Sequence, residues 1–150
     1  MPPASCRVMV RIVDEGSHFD ASIDKVWSLI AAHRTEFNRI HTDAMDTKVV
    51  SEGDHFYTVS WHRDMDGRRV PVKIRSTEFP PIARAVEILE GPMSGTKIIY
   101  YYTPAGTRTA VTAIGEFCSP AIPEARLEGA ARGFLNGVFD EDAAYLSEMK

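Results

Sequence analysis

Five histidines, His18, His33, His41, His55 and His62, are the residues whose side chains move a proton or hold a metal ion near neutral pH. Zinc sites usually show two histidines at short spacing on one helix, or cysteine partners, and neither pattern is present. His55 and His62 fall on one predicted strand with opposite parity, so they cannot easily share an ion. His33 sits at the edge of the apolar face of a predicted first helix, a position that suits a packed histidine as well as a base. No metal ion and no cofactor are expected. The chain also lacks a serine nucleophile elbow, a phosphate-cradling glycine loop and a dinucleotide fingerprint, so hydrolase, kinase and dehydrogenase chemistries lose support. Cys6 and Cys118 are too few and too distant in sequence for a disulfide framework or a zinc cluster.

The chain that must position these groups has 150 residues, which suits one domain over 1–150 that buries about two thirds of its unfolded surface. Its hydrophobic share of 44% and charged share of 25% exclude disordered and collagen-like classes. A net charge of −4 disfavours a broad grip on nucleic acid or anionic lipid, and no nucleic-acid partner is expected. The basic cluster Arg68, Arg69, Lys73 and Arg75 reads as a solvated strand face beside a hairpin. No apolar run reaches 18 residues, so no membrane-spanning helix is expected. The first residues lack the basic start and apolar run of a signal peptide, which makes a cytoplasmic location the expectation.

Periodicity then assigns elements. Arg7 to Phe19 reads as a strand. Ser22 is a candidate N-cap for a short helix carrying Ile23, Val26, Trp27 and Ile30, broken near His33 and resumed from Phe37 to Ile40. Between Ala44 and Pro120, turn signals such as Asp64-Met65-Asp66-Gly67 and Thr103-Pro104-Ala105-Gly106 punctuate six strands in meander order. Alternation places Tyr57, Val59 and Trp61; Val70, Val72 and Ile74; Val86 and Ile88; Ile98, Tyr100 and Tyr102; and Thr112 and Ile114 on one concave face. The last strand is the weakest case, because Val111 and Ala113 on its other side are also apolar.

Pro123 to Lys150 predicts one long helix, with Pro123 at its first position and Glu124 complementing the dipole. Leu127, Ala131, Phe134, Leu135, Val138, Tyr145 and Met149 form the stripe that faces the sheet. Gly129, Gly133 and Gly137 recur along one flank, although each costs about 1 kcal/mol relative to alanine. Either a neighbouring backbone approaches closely there, or the gap makes space for a ligand or a portal.

This order of elements, with Phe19 to Ile30 around the first helix and Thr103 to Thr112 at the last hairpin, resembles the START/Bet v 1-like superfamily and its polyketide cyclase-like members. The resemblance implies an α+β helix-grip fold, in which a curved antiparallel sheet of about seven strands and two short helices hold a long C-terminal helix. It further implies an apolar cavity between sheet and helix that accepts lipids, sterols, polyketides or other hydrophobic molecules. Carried onto this chain, the lining would be Ile30, Tyr57, Val59, Trp61, Val72, Ile74, Val86, Ile88, Ile98, Tyr100, Tyr102, Thr112, Ile114, Phe134 and Val138. The same geometry would bring Cys6 and Cys118 close together, as thiols or as a disulfide.

Glu116 shares the parity of Ile114 and is the candidate proton carrier if it points inward, with Arg84 or Arg11 as partner; otherwise it lies exposed near a strand end. Three functions follow from the resemblance: binding or transport of a small hydrophobic molecule; a cyclase, hydratase or isomerase using Glu116, a tyrosine hydroxyl or His33; and a chaperone- or ribosome-associated module with a protein partner. The first is favoured, because no catalytic set is evident.

Overall fold

The computed structural model describes residues 8–149. The chain runs β1 (Met9–Phe19), α1 (Ile23–Ala32), α2 (Phe37–Ile40), β2 (Met45–Glu52), β3 (Phe56–Met65), β4 (Arg68–Phe79), β5 (Ala83–Glu90), β6 (Lys97–Ala105), β7 (Arg108–Cys118) and α3 (Glu124–Glu148). Ser22 caps α1 as expected, its hydroxyl accepting the Lys25 backbone N–H at 3.3 Å. Pro123 proves to be the N-cap residue of α3, one step before the predicted position. Cys6, and with it the expected proximity to Cys118, lies outside the described residues.

The seven strands form one antiparallel sheet in the order β1-β7-β6-β5-β4-β3-β2. Asp66 and Gly67, with φ of 54° and 79°, make the tight turn between β3 and β4 that two-residue hairpins require. The β1 register slips between Asp14 and Ser17, where Gly16 adopts φ 89°. Such a bulge bends the strand, which helps the sheet wrap around a helix. α3, about 37 Å long, buries Leu127, Ala131, Leu135, Asp142 and Leu146. Two buried clusters result. Leu127, Ala131 and Leu135 join Ile12, Tyr57, Val59 and Phe117 in one. Leu146 joins Val26, Ile30, Tyr102 and Val111 in the other.

The last strand reverses the predicted parity. Ile98, Tyr100 and Tyr102 of β6 stand opposite Gly115, Ala113 and Val111 of β7, so these face inward with them. Val111, Ala113 and Phe117 are accordingly buried, while Ile114 is 38% exposed. Thr112, Ile114 and Glu116 therefore belong to the outer face. With apolar residues at both parities, alternation within β7 could not choose; pairing with β6 does.

Glu116 accepts a hydrogen bond from Arg11 at 2.9 Å, and its side chain is 44% exposed. It continues an outer row in which Arg75, Glu87, Lys97, Glu116 and Arg11 stand opposite one another across five strands with alternating sign. Opposite charges at directly facing positions stabilise strand pairing modestly. Glu116 thus has a structural place on the surface and is removed as an interior proton carrier.

Gly115 faces inward because the Phe117 ring needs its space: a Cβ there would lie 2.4 Å from Phe117 Cε2. Phe117 is fully buried and cannot swing away. Gly115→Ala is expected to lower stability by about 1–3 kcal/mol through overpacking, read as a fall in the thermal unfolding midpoint. An unchanged midpoint would show that the ring can shift freely.

Candidate functional site

Beneath α3, the inner face of β3 to β6 leaves a cavity of about 150 Å³. Trp61, Val72, Ile74, Val86, Ile88 and Tyr100 line it from the sheet, and Phe134 and Val138 from the helix. A second compartment of about 260 Å³ shares Trp61, Val72, Ile88 and Phe134 and extends to Met93 and Ile122. The remaining predicted lining residues lie elsewhere. Tyr57, Val59 and Ile98 are fully buried in the first core cluster. Ile30 and Tyr102 pack in the second. Thr112 and Ile114, as noted, face outward.

The α3 glycines explain why a hollow persists. Gly133 and Gly137 line the cavity, and a Cβ at either, or at Gly129, would meet no atom within 4 Å. Close backbone approach is therefore not their reason. They keep one flank of the helix bare where larger side chains would fill or cover the space. At the rim, Arg63 Nε stands 3.3 Å from Asp43 Oδ2. The Phe37 and Trp61 rings pack with centroids 4.7 Å apart and brace the wall from α2.

Arg84 is the anomaly of this wall. It is only 5% exposed, lines the cavity, and lies over the Tyr100 ring at 5.5 Å. Its Nε is buried without a hydrogen bond, and among the described residues no carboxylate pairs with it. Glu78, directly opposite on β4, is engaged instead by Arg34 at 3.1 Å. A guanidinium stays charged in proteins, and a buried charge without a partner is costly. Burial pushes the phenol groups of Tyr100 and Tyr102 upward despite this cation, so both remain neutral.

Beside the cavity, the fold assembles a buried cluster from three helical segments. His33 follows α1, His41 follows α2, and Asp142 occupies the buried stripe of α3. His33 Nδ1 lies 2.9 Å from the Leu29 carbonyl oxygen, and His33 Nε2 lies 3.2 Å from Asp142 Oδ1. His41 Nε2 approaches His33 Nε2 at 3.3 Å, and His41 Nδ1 approaches Glu141 Oε2 at 3.5 Å. His41 and Glu141 also line the cavity. Burial holds the His33 imidazole below its ordinary range, outweighing the pull of Asp142. Burial alone would raise Asp142, but His33, His41 and Arg84 around it bring its carboxyl below the usual value.

The sequence model of the family described as polyketide cyclase / dehydrase and lipid transport matches residues 10–148. The chain belongs to this family. No functionally curated protein matches the sequence. Among solved structures, the Zhui aromatase/cyclase from Streptomyces sp. R1128 is similar at 19% identity and TM-score 0.64, covering 91% of this chain and 88% of that one. Norcoclaurine synthase from Thalictrum flavum, in complex with dopamine and hydroxybenzaldehyde, is similar at 15% identity and TM-score 0.71, covering 95% and 89%. A START superfamily protein from Mycobacterium smegmatis gives 10% identity and TM-score 0.72, covering 95% and 99%. At these identities the likeness establishes the helix-grip fold. Among the described residues no helix is long and apolar enough to cross a membrane.

Within this polyketide cyclase/lipid transport fold, Asp142 is the residue that sequence reasoning passed over, whereas His33 and Arg84 were read from it without their present surroundings; all three had a readable signal. Asp142 stands one turn before Leu146 and two turns after Leu135, and His33 stands one turn after Leu29, so both are polar groups at buried periodic positions. Arg84 had the parity of Val86 on β5.

Because folded His33 holds a proton more weakly than the unfolded imidazole, the unfolded chain binds more protons below about pH 6.5. Stability should therefore decline as pH falls through and below that value. Urea unfolding of the parent at pH 7 and 5 should show the decline, and His33→Gln should flatten it. An equal slope in both proteins would remove His33 as its source.

Proposed function

We propose that the cavity binds a small hydrophobic molecule carrying a carboxylate, phenolate or comparable oxyanion, with Arg84 as the polar anchor. The observation that carries this reading is a buried, unpaired guanidinium in an otherwise largely apolar wall. A ligand anion would supply the missing partner, and charge-assisted hydrogen bonds in a low dielectric are the strong ones. The size supports a compact ligand. An apolar cavity of about 150 Å³ holds a single aromatic ring, and the adjoining compartment gives room for a longer body. Trp61, Tyr100 and Phe134 offer ring faces and edges for stacking. The family's description includes lipid transport and cyclase activity, and one fold relative holds two single-ring compounds.

A second reading is a cyclase, dehydratase or isomerase using the same cavity. The specific observation in its favour is that His41 and Glu141 line the wall, backed by buried His33 and Asp142. His41 would exchange a proton with a bound substrate while the groups behind it set its orientation. The open interior weighs against the protein-docking alternative, which a filled core would favour, while the exposed outer row of Val13, Ile114 and Ile99 is the feature that speaks for it.

Mass spectrometry of natively purified protein should reveal a co-purifying aromatic or aliphatic acid. Phe134→Arg and Tyr100→Lys are expected to weaken uptake of an apolar fluorescent probe while circular dichroism stays unchanged. Unaltered probe affinity in both variants would place binding elsewhere. A carboxylated naphthalene probe should bind about 10–100-fold more tightly than its uncharged amide. Arg84→Met should abolish that preference, and a preference that survives would exclude Arg84 as the anchor.

A further inference from the structure

His33 Nδ1 faces a carbonyl oxygen, which only accepts, so Nδ1 carries the proton and Nε2 presents a lone pair. His41 Nδ1 stands 3.5 Å from Glu141 Oε2, a carboxylate that favours the same tautomer. The two Nε2 atoms and Asp142 Oδ1 then form a triangle with sides of 3.3, 3.2 and 3.8 Å. With both imidazoles protonated at Nδ1, the three atoms turn lone pairs toward one point, the arrangement that a cation accepts.

We propose that His33 Nε2, His41 Nε2 and Asp142 Oδ1 are three ligands of a divalent transition-metal site of the zinc type, open at the fourth position toward the cavity. A tetrahedron with bonds of about 2.0–2.1 Å has edges of about 3.3–3.4 Å; two of the three sides, 3.2 and 3.3 Å, lie close to that length, and the third, at 3.8 Å, is longer. Octahedral coordination at similar bond lengths needs edges nearer 3.0 Å, shorter than every side. Two imidazoles and one carboxylate suit zinc and its neighbours rather than calcium or magnesium, which favour all-oxygen sets. Each imidazole turns its other nitrogen toward an acceptor, His33 at 2.9 Å from the Leu29 carbonyl oxygen and His41 at 3.5 Å from the Glu141 carboxylate. Local charge agrees as well: Asp142 and Glu141 carry two negative charges, against the single positive charge of Arg84.

The ligands come from the C-terminal ends of α1 and α2 and from α3. A bound ion would therefore tie both short helices to the long one beside the cavity mouth. Metal binding of this kind does not depend on whether an apolar molecule occupies the cavity.

The test uses the full chain stripped with chelator and titrated separately with Zn²⁺, by calorimetry, and Co²⁺, by visible absorption. One ion per chain is expected, with a raised thermal midpoint and the intense visible bands of four-coordinate cobalt. His41→Gln and Asp142→Asn should each weaken Zn²⁺ by more than about 100-fold, and Glu141→Gln, which changes only the group facing His41 Nδ1, by about 10–100-fold. His41→Gln lies at the cavity wall, and its circular dichroism in chelator should match the parent. Absence of binding, six-coordinate cobalt spectra, or Zn²⁺ affinity unchanged in both ligand variants would each overturn the site.

Discussion

The contact between α3 and the concave sheet face governs everything else in this protein. Leu127, Ala131 and Leu135 seal one part of the helix against the sheet, and Leu146 seals the far end against α1 and β7. Between these anchors the bare flank at Gly133 and Gly137 faces the hollow. Burying the apolar anchors stabilises the helix in place, by about 1.5–3 kcal/mol for each fully buried large side chain. The glycines oppose that gain by about 1 kcal/mol each. The balance leaves α3 fixed at both ends and the space beneath it unfilled.

Into that space the fold admits polar groups that a pure core would exclude. Arg84 lacks a carboxylate partner because Arg34 holds Glu78, its cross-strand neighbour. His33 and Asp142 stand in direct contact with His41 one short step from the cavity wall. In a medium of low dielectric these groups interact far more strongly than at the surface, where the outer row containing Glu116 is screened by water. Residues at the surface thus bind strands together, while residues of similar type inside stand beside the cavity.

Membership of the polyketide cyclase/lipid transport family and likeness to an aromatase/cyclase, a norcoclaurine synthase and a START protein agree on the fold. The names of the first two differ in activity, and a shared fold does not by itself choose among activities. Among the described residues, the interior of this chain combines a compact apolar space, a buried guanidinium without a carboxylate partner and a histidine–carboxylate cluster.

Much of this was legible in the residues. Element order, the Ser22 cap, the break near His33, the meander of six strands and the inner faces of β3 to β6 followed from local periodicity and turn chemistry, because each depends on neighbours a few residues apart. The inner face of β7 did not follow: Val111 and Ile114 are equally apolar at opposite parity, and only pairing with β6 separates them. Nor did the site. His33 and His41 are brought onto Asp142, 109 residues beyond His33, by helix packing. The sequence by itself determined which elements form and which faces are apolar; the tertiary structure decided which polar side chains share the interior, since burial and proximity arise only when distant elements pack.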